Sequence, residues 1–323
     1  MCAIIGLIDV RSVFSGKDRS CLMRNLAIAA ECRGTDATGF AYNNKGYLHV
    51  VKRPVPAHKM KLRLPNTAKV IVGHTRMTTQ GDALLNYNNH PFMGKVNGLY
   101  FTLAHNGILY NDDLLRVEHD LPKTKIETDS YVAVQLIEKW SSTNRLSGSE
   151  KPNGLGFDSL KYMAEQVQGM FTFAILDSDD NTWIVKGDNP ICIYRSTDYG
   201  FFVYASTEEI LKAALTAAGI DKLNYEQIPL VDGKILKISV DGQMERGEFK
   251  MNLRAFYEIY GGFSCYQNSY NWHWLRSYQP IEDTGYLSEL KSIAACCGYS
   301  AEEIDELFAE GFTCEEIEEM LFV

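Results

Sequence analysis

The 323-residue chain has no apolar run approaching the ~18–20 residues that cross a bilayer, so no membrane role is expected. It has no GxGxxG and no GxxxxGK[ST] motif, which disfavours a doubly wound nucleotide-binding fold. Basic charge is not in excess. There are 32 Lys and Arg against 41 Asp and Glu, a net charge of −9, which argues against a general nucleic-acid binder. Eight cysteines stand at positions 2, 21, 32, 192, 265, 296, 297 and 314, with no CxxC pair, and the seven histidines show no HxxxH spacing. Neither a zinc site nor a disulfide framework is expected, and no metal or cofactor is implied. The opening residues MCAIIGLIDV lack the basic n-region and small-residue cleavage site of a secretory signal, so reduced thiols in a cytoplasm are the simplest expectation. Core-forming residues are not lacking: 46% hydrophobic and 23% charged exclude wholesale disorder. The length suggests about two domains at roughly 150 residues each.

Short apolar runs bounded by turn residues read as strands at 3–10, 40–42, 70–75, 99–105, 170–177, 182–186, 191–195, 201–206 and near 234–240. Helical spacing runs through 21–31, 129–139, 159–168 and 207–217. Long loops are expected between 76 and 90 and over 142–156. Hairpin-length connections such as 177–181 suggest antiparallel sheets covered by helices, an α+β architecture.

Near residue 250 the texture changes. Residues 256–278 are crowded with aromatics, among them Trp272 and Trp274. They read as packing of an extension, as a docking surface for a partner, or as a carbohydrate- or base-stacking surface. From residue 284 onward there are ten acids and one lysine, so this tail carries the whole net charge of −9. It holds an internal repeat, GYSAEEIDELF at 298–308 and GFTCEEIEEML at 311–321. Each copy has a hydroxyl (Ser300, Thr313) followed three residues later by a glutamate (Glu303, Glu316), a capping box. Helices are expected at 288–296, 301–309 and 314–321.

Cys2 is the first residue with chemistry to explain. It reads as a small apolar residue opening a strand, or as a nucleophile. Cysteine is small enough to permit removal of Met1, which would place a thiol and a free α-amine of pKa near ~8 on one residue. The amine could then serve as base for its own side chain. Acyl transfer also needs oxyanion donors. Asn106 and Gly107, in AHNGIL, could supply a side-chain amide and a backbone N–H, or could form an ordinary Asn-Gly turn. Arg76, in GHTRMTTQG, could grip a carboxylate or sit in a surface ion pair. Asp129, in ETDSYV, could pair with an ammonium or cap a helix. His90, in NNHPF, reads as a loop histidine rather than a metal ligand.

Taken together, the ordered motifs resemble the class II glutamine amidotransferase (glutaminase) domain of the N-terminal-nucleophile hydrolases. MCAIIGLI is similar to the family's MCGIVG start, and RGTDATG to RGxDSxG. GHTRMTTQG resembles GHTRWATxG, NNHPF resembles NxHP, AHNGIL resembles xHNGxI, and ETDSYVAVQLI resembles SETDTEVIxxLI. GMFTFAILD, DNPICIY, FFVYASTEEI and LVDGKILKI also fit, so the resemblance covers residues 2–248. It implies a four-layer αββα sandwich of two antiparallel sheets and hydrolysis of the side-chain amide of L-glutamine. By position, Cys2 would form a γ-glutamyl thioester and release ammonia, with Asn106 and Gly107 as the oxyanion hole. Arg76 would hold the α-carboxylate and Asp129 the α-ammonium. Arg33 would be a positioning residue near the nucleophile, and Thr79 and His90 would belong to the glutamine-binding residues.

Four positions depart from the family pattern: Ala3 for glycine, Met77 for tryptophan, Gln80 for histidine and Tyr131 for glutamate. None removes a catalytic group; the first is expected to alter the backbone beside the nucleophile. The expected domains are 2–248 as glutaminase, 249–283 as an aromatic extension or linker, and 284–323 as an acidic helical unit. Too few residues follow 248 for a synthase domain of the kind fused in family enzymes, so a separate ammonia-acceptor protein is the expected partner. Two other readings stay open: a hydrolase of a γ-glutamyl or related amide, and a silent binding protein on the same fold.

Overall fold

The structure, a computed structural model, describes residues 2–145 and 155–252, together with 291, 300, 301, 304 and 305. In chain order the elements are β1 (Ala3–Ile8), α1 (Gly16–Ala29), β2 (Ala37–Asn44), β3 (Tyr47–Arg53), β4 (Val70–Arg76), β5 (Phe92–Val96) and β6 (Leu99–Leu109). Then come α2 (Asp112–Glu118), α3 (Tyr131–Arg145), α4 (Phe157–Gln166), β7 (Gly169–Asp177), β8 (Thr182–Lys186), β9 (Cys192–Ser196) and β10 (Phe202–Ala205). The last are α5 (Glu208–Ala217), β11 (Tyr225–Gln227), β12 (Lys234–Ile238) and β13 (Met244–Glu248).

The strands form two sheets, one of seven in the order β11-β9-β10-β1-β4-β2-β3 and one of six in the order β13-β12-β8-β7-β6-β5. Every pairing is antiparallel. Side-chain alternation sorts each strand into an inner and an outer face. On β1, Ala3, Ile5 and Leu7 pack with Leu22 and Leu26 of α1 and Leu211 and Leu215 of α5. Ile4 and Ile8 pack between the sheets with Val70 and Val72 of β4, Ala104 of β6 and Ala174 of β7. Phe101, Leu103, Phe171 and Phe173 turn the other way, toward Val132 and Leu136 of α3 and Leu160 of α4. The layers are therefore helix, sheet, sheet, helix. The expected α+β sandwich is the observed one.

The same alternation places the chemistry. Cys2, His74 and Arg76 continue the inner faces of β1 and β4, and Asn106 continues that of β6. Two expectations are corrected here. The strand expected to stop at 105 runs to Leu109, and Asn106 and Gly107 pair with Thr172 and Phe171 of β7 rather than forming a turn. The helix expected at 21–31 begins five residues earlier, because Ser15 and Asp18 make a capping box ahead of it. Ala3 sits in regular register opposite Thr75 with no positive φ, so alanine is accommodated beside Cys2.

Contacts divide the chain into a unit of residues 1–263 and a second of residues 264–323. In the second, Lys291, Ala301, Ile304 and Asp305 are helical, Ile304 is buried, and Lys291 Nζ pairs with Asp305 Oδ1 at 2.5 Å. The aromatic stretch 256–278 and most of the three expected tail helices lie outside the described residues, as does most of the expected 142–156 loop.

Candidate active site

Cys2 is nearly buried, and its Sγ donates to the Met77 carbonyl at 3.4 Å. Burial pushes the thiol pKa up; the Met77 hydrogen bond and the nearby Arg76 charge oppose that shift. A thiol held protonated in this way needs a base, and an α-nitrogen acylated by Met1 cannot be one.

Arg33 ties the nucleophile to the second sheet. Its Nε donates to the Cys2 carbonyl at 3.0 Å and a terminal nitrogen donates to Asn106 Oδ1 at 3.4 Å. With its oxygen turned to Arg33, the Asn106 amide presents Nδ2 elsewhere, and that buried nitrogen has no hydrogen-bond partner among the described residues. A buried, unpartnered donor beside a cysteine is what an oxyanion requires. Asn189 Nδ2 fixes the Asn106 backbone by donating to its carbonyl at 2.9 Å. Gly107 has φ +145°, and an added Cβ would lie 1.9 Å from the Met170 carbonyl oxygen, so β7 approaches too closely for any side chain.

Arg76 is 2% exposed. Its guanidinium donates to Asn89 Oδ1 at 2.6 Å, to the Gln80 carbonyl at 2.5 Å and to the Gly81 carbonyl at 2.8 Å. Burial lowers its pKa, and the Cys2, Asp129, Asp36 and Asp82 groups act in the opposite sense. Asp129 is also 2% exposed, and its carboxylate accepts from the Leu109 N–H at 2.7 Å and from Ser130 N–H and Oγ at 2.7 and 3.0 Å. Among the described residues, neither Arg76 nor Asp129 forms an ion pair. Both charges act on the Cys2 thiol, so the three groups share one electrostatic neighbourhood.

The remaining residues divide. Thr79 is exposed on the loop after β4. His90 is buried, with neither ring nitrogen hydrogen-bonded among the described residues; its ring lies tilted against His74 at 4.2 Å and edge-on to Phe92 at 4.4 Å. Burial holds it well below the usual histidine pKa, and holds His74 at about 3, so both rings are neutral. His90 thus lies among aromatic rings. Among the described residues no cluster of His, Cys, Asp or Glu could hold a metal, and no helix is long and apolar enough to cross a membrane.

Sequence reasoning missed several residues that build the site. Asn89 was within the NNHPF motif, but only its histidine was singled out. Asp36 lay in RGTDATG; its carboxylate accepts from the Thr78 N–H at 2.7 Å and fastens the loop after Arg76. Ser130 orients both Asp129 and His105, whose Nδ1 lies 2.7 Å from Ser130 Oγ. Lys52 gave no motif signal at all.

Comparison with known proteins gives the family. The family of class II glutamine amidotransferases matches residues 13–208. The chain belongs to that family. The match opens after Cys2, so the nucleophile candidate itself lies outside it. The glutamine–fructose-6-phosphate aminotransferase (isomerizing) of Listeria innocua serovar 6a is 27% identical over 248 residues, covering 75% of this chain and 36% of the relative. That of Streptococcus pyogenes serotype M6 is 26% identical over 259 residues, covering 78% and 40%. The class II amidotransferase chain thus spans two fifths or less of the length of these curated relatives. The glutamine phosphoribosylpyrophosphate amidotransferase of B. subtilis, solved with ADP and GMP, superposes with a TM-score of 0.56 at 20% identity, over 78% of this chain and 50% of that one. A structure described as the allosteric regulatory enzyme of purine biosynthesis gives 0.58 at 20% identity over the same shares. These likenesses carry the fold alone, the αββα sandwich.

Proposed function

We propose that residues 2–248 hydrolyse the side-chain amide of L-glutamine through Cys2, once Met1 has been removed. The observation that carries this reading is the pair Arg76 and Asp129, buried, opposite in charge and, among the described residues, without ion-pair partners, beside a cysteine. Isolated buried charges are costly, and a zwitterionic amino acid supplies both missing partners at once. The α-carboxylate meets Arg76, the α-ammonium meets Asp129, and the side-chain amide reaches Cys2.

In this reading the freed α-amine takes the thiol proton as Sγ attacks the amide carbon. The Asn106 Nδ2 donor and the Gly107 N–H hold the oxyanion. The ammonium then returns its proton to the leaving nitrogen, the C–N bond breaks, and ammonia departs from a γ-glutamyl thioester. Water, activated by the same amine, attacks the thioester and releases glutamate. We assign the ammonia to an acceptor enzyme on another chain. Met77 supports this, because its carbonyl meets Cys2 Sγ while the residue is 48% exposed, which couples the nucleophile to a surface a partner could cover. The regions 249–283 and 284–323 would then lie outside the reacting domain.

The test is intact mass with and without a glutamine analogue that alkylates nucleophilic cysteine, run alongside glutaminase turnover. Loss of Met1, one adduct, and disappearance of both adduct and turnover in Cys2→Ala are expected. A processed protein that takes no adduct and releases no ammonia from glutamine would refute the reading. Turnover of another γ-glutamyl amide in preference to glutamine would redirect it.

A further inference from the structure

Lys52 is a half-buried cation on β3. Its Nζ donates to the Asn89 carbonyl at 2.5 Å and the Pro91 carbonyl at 3.2 Å, and lies 5.0 Å from the centre of the Phe92 ring. Among the described residues no carboxylate pairs with it. The strand position explains the reach. Lys52 lies opposite Gly39 of β2, and an added Cβ on Gly39 would be 2.0 Å from the His90 carbonyl oxygen. The 89–91 segment is therefore pressed onto β2 with Lys52 gripping it on either side of His90. The backbone oxygen of Lys52 also accepts from Asn86 Nδ2 at 2.7 Å, and Asn89 Nδ2 donates to the Ala83 carbonyl at 2.7 Å.

Asn89 is the hinge of this arrangement. Its backbone carbonyl belongs to Lys52 and its side-chain Oδ1 to Arg76. A buried and a half-buried cation thus share one asparagine, and among the described residues neither is paired with an acid. Such a pair is self-repelling, and an anion at Arg76 relieves it. We propose that Lys52 is a positioning residue for the carboxylate subsite, holding Asn89 so that Asn89 holds the Arg76 guanidinium toward the substrate carboxylate. This rests on the glutaminase reading above and deepens it.

The charge of Lys52 is itself titratable near working pH. Burial, reinforced by the Arg76 charge on β4, brings its pKa down to about 8. The titratable rings it faces, His74 on β4 and His90 in the gripped segment, are held neutral by burial and do not compete. On its own strand, Arg53 donates to the Lys52 carbonyl at 2.9 Å. Below about 8 Lys52 is an ammonium with three donors; above it, the charge and one donor are lost. Carboxylate affinity should therefore fall as pH rises through that value.

The experiment is steady-state glutaminase kinetics, with calorimetric binding of L-glutamate, on the processed wild type, Lys52→Met and Lys52→Arg, between about pH 6.5 and about pH 9.5. Lys52→Met should raise KM and the glutamate Kd about tenfold near neutrality while kcat stays within about twofold. Lys52→Arg should restore neutral KM and abolish the rise of KM above about pH 8, because arginine does not titrate there. Equal KM in wild type and Lys52→Met, or a loss confined to kcat, would overturn the proposal. If Lys52→Met does not fold, a wild-type KM that is flat with pH, or one that rises equally in Lys52→Arg, overturns it. A wild type that neither turns over glutamine nor binds glutamate sinks the glutaminase reading itself. A wild type that does both beside an unaffected Lys52→Met sinks only the assignment of Lys52.

Discussion

Replacing Gly107 by alanine tests whether the second sheet is built around the proposed oxyanion site. At φ +145° a side chain is strained, at a cost of about 1–3 kcal/mol. The new Cβ would sit 1.9 Å from the Met170 carbonyl oxygen and 2.7 Å from His105 Nε2. Met170 belongs to β7, the strand paired with β6 through nine residue pairs, so the backbone cannot swing away locally. Overpacking of this kind adds about 1–3 kcal/mol, and the stiffer unfolded chain offsets about 0.4–1. A net destabilisation of about 3 kcal/mol follows. For a domain near 250 residues that is a fall in Tm of about 6–12 °C. Relief of the clash must part β6 from β7 where Asn106 pairs with Thr172, so the donors move with it. Losing one oxyanion donor costs about 10²–10³ in kcat. Thermal melting and glutaminase turnover below the lowered Tm read the two effects separately. An unshifted Tm would mean that β7 does not press on Gly107. A folded variant with wild-type kcat would remove Gly107 from the reacting site.

Two further substitutions probe the frame. Arg33→Met removes the donor on Asn106 Oδ1 and frees the amide to rotate, so kcat should fall about 10–100-fold with KM within about threefold; an unchanged kcat in steady-state assays would end the orienting role. Arg19→Met breaks the fully buried pair with Asp9 at 2.8 Å, stranding a carboxylate that then has only the Val13 and Phe14 N–H groups. That should cost about 3–5 kcal/mol, readable by denaturant unfolding, while kcat of the folded protein is unchanged.

The parts of the fold that were legible in the sequence are those with local signals. β1, β4, β7 and β8 each hold a buried apolar run bounded by polar or turn residues, and the sequence places each within a few residues. β3 was missed because it is an edge strand of mixed exposure, YLHVVKR, with no clean alternation. α2 was missed because seven residues give too few turns for a period to emerge. At the site, Cys2, Arg33, Arg76, Asn106, Gly107 and Asp129 came from ordered motifs, and the structure gathers them at one end of the sandwich. Asn89 and Lys52 stayed hidden because their importance lies in one hydrogen bond between elements 37 residues apart. Periodicity and turn chemistry do not report such contacts.

The chain contains its own control for reading a buried arginine. Arg19 and Arg76 are both almost fully buried, at 1% and 2% exposure. Arg19 has an acid: Nε and a terminal nitrogen both sit 2.8 Å from Asp9 Oδ2, and the same carboxylate caps the Val13 and Phe14 N–H groups. That charge is closed on both sides, which is the signature of a structural pair. Arg76 has two backbone carbonyls, one asparagine oxygen and a neighbouring lysine. Dipoles satisfy three of its five N–H groups, no acid pairs with it among the described residues, and Asp129, whose charge it feels, is turned instead to the Leu109 and Ser130 N–H groups. A protein gains no stability by burying two opposite charges close together and keeping them apart. The arrangement makes physical sense when a third molecule brings the complementary charges, and among small metabolites an α-amino acid carries both on one carbon.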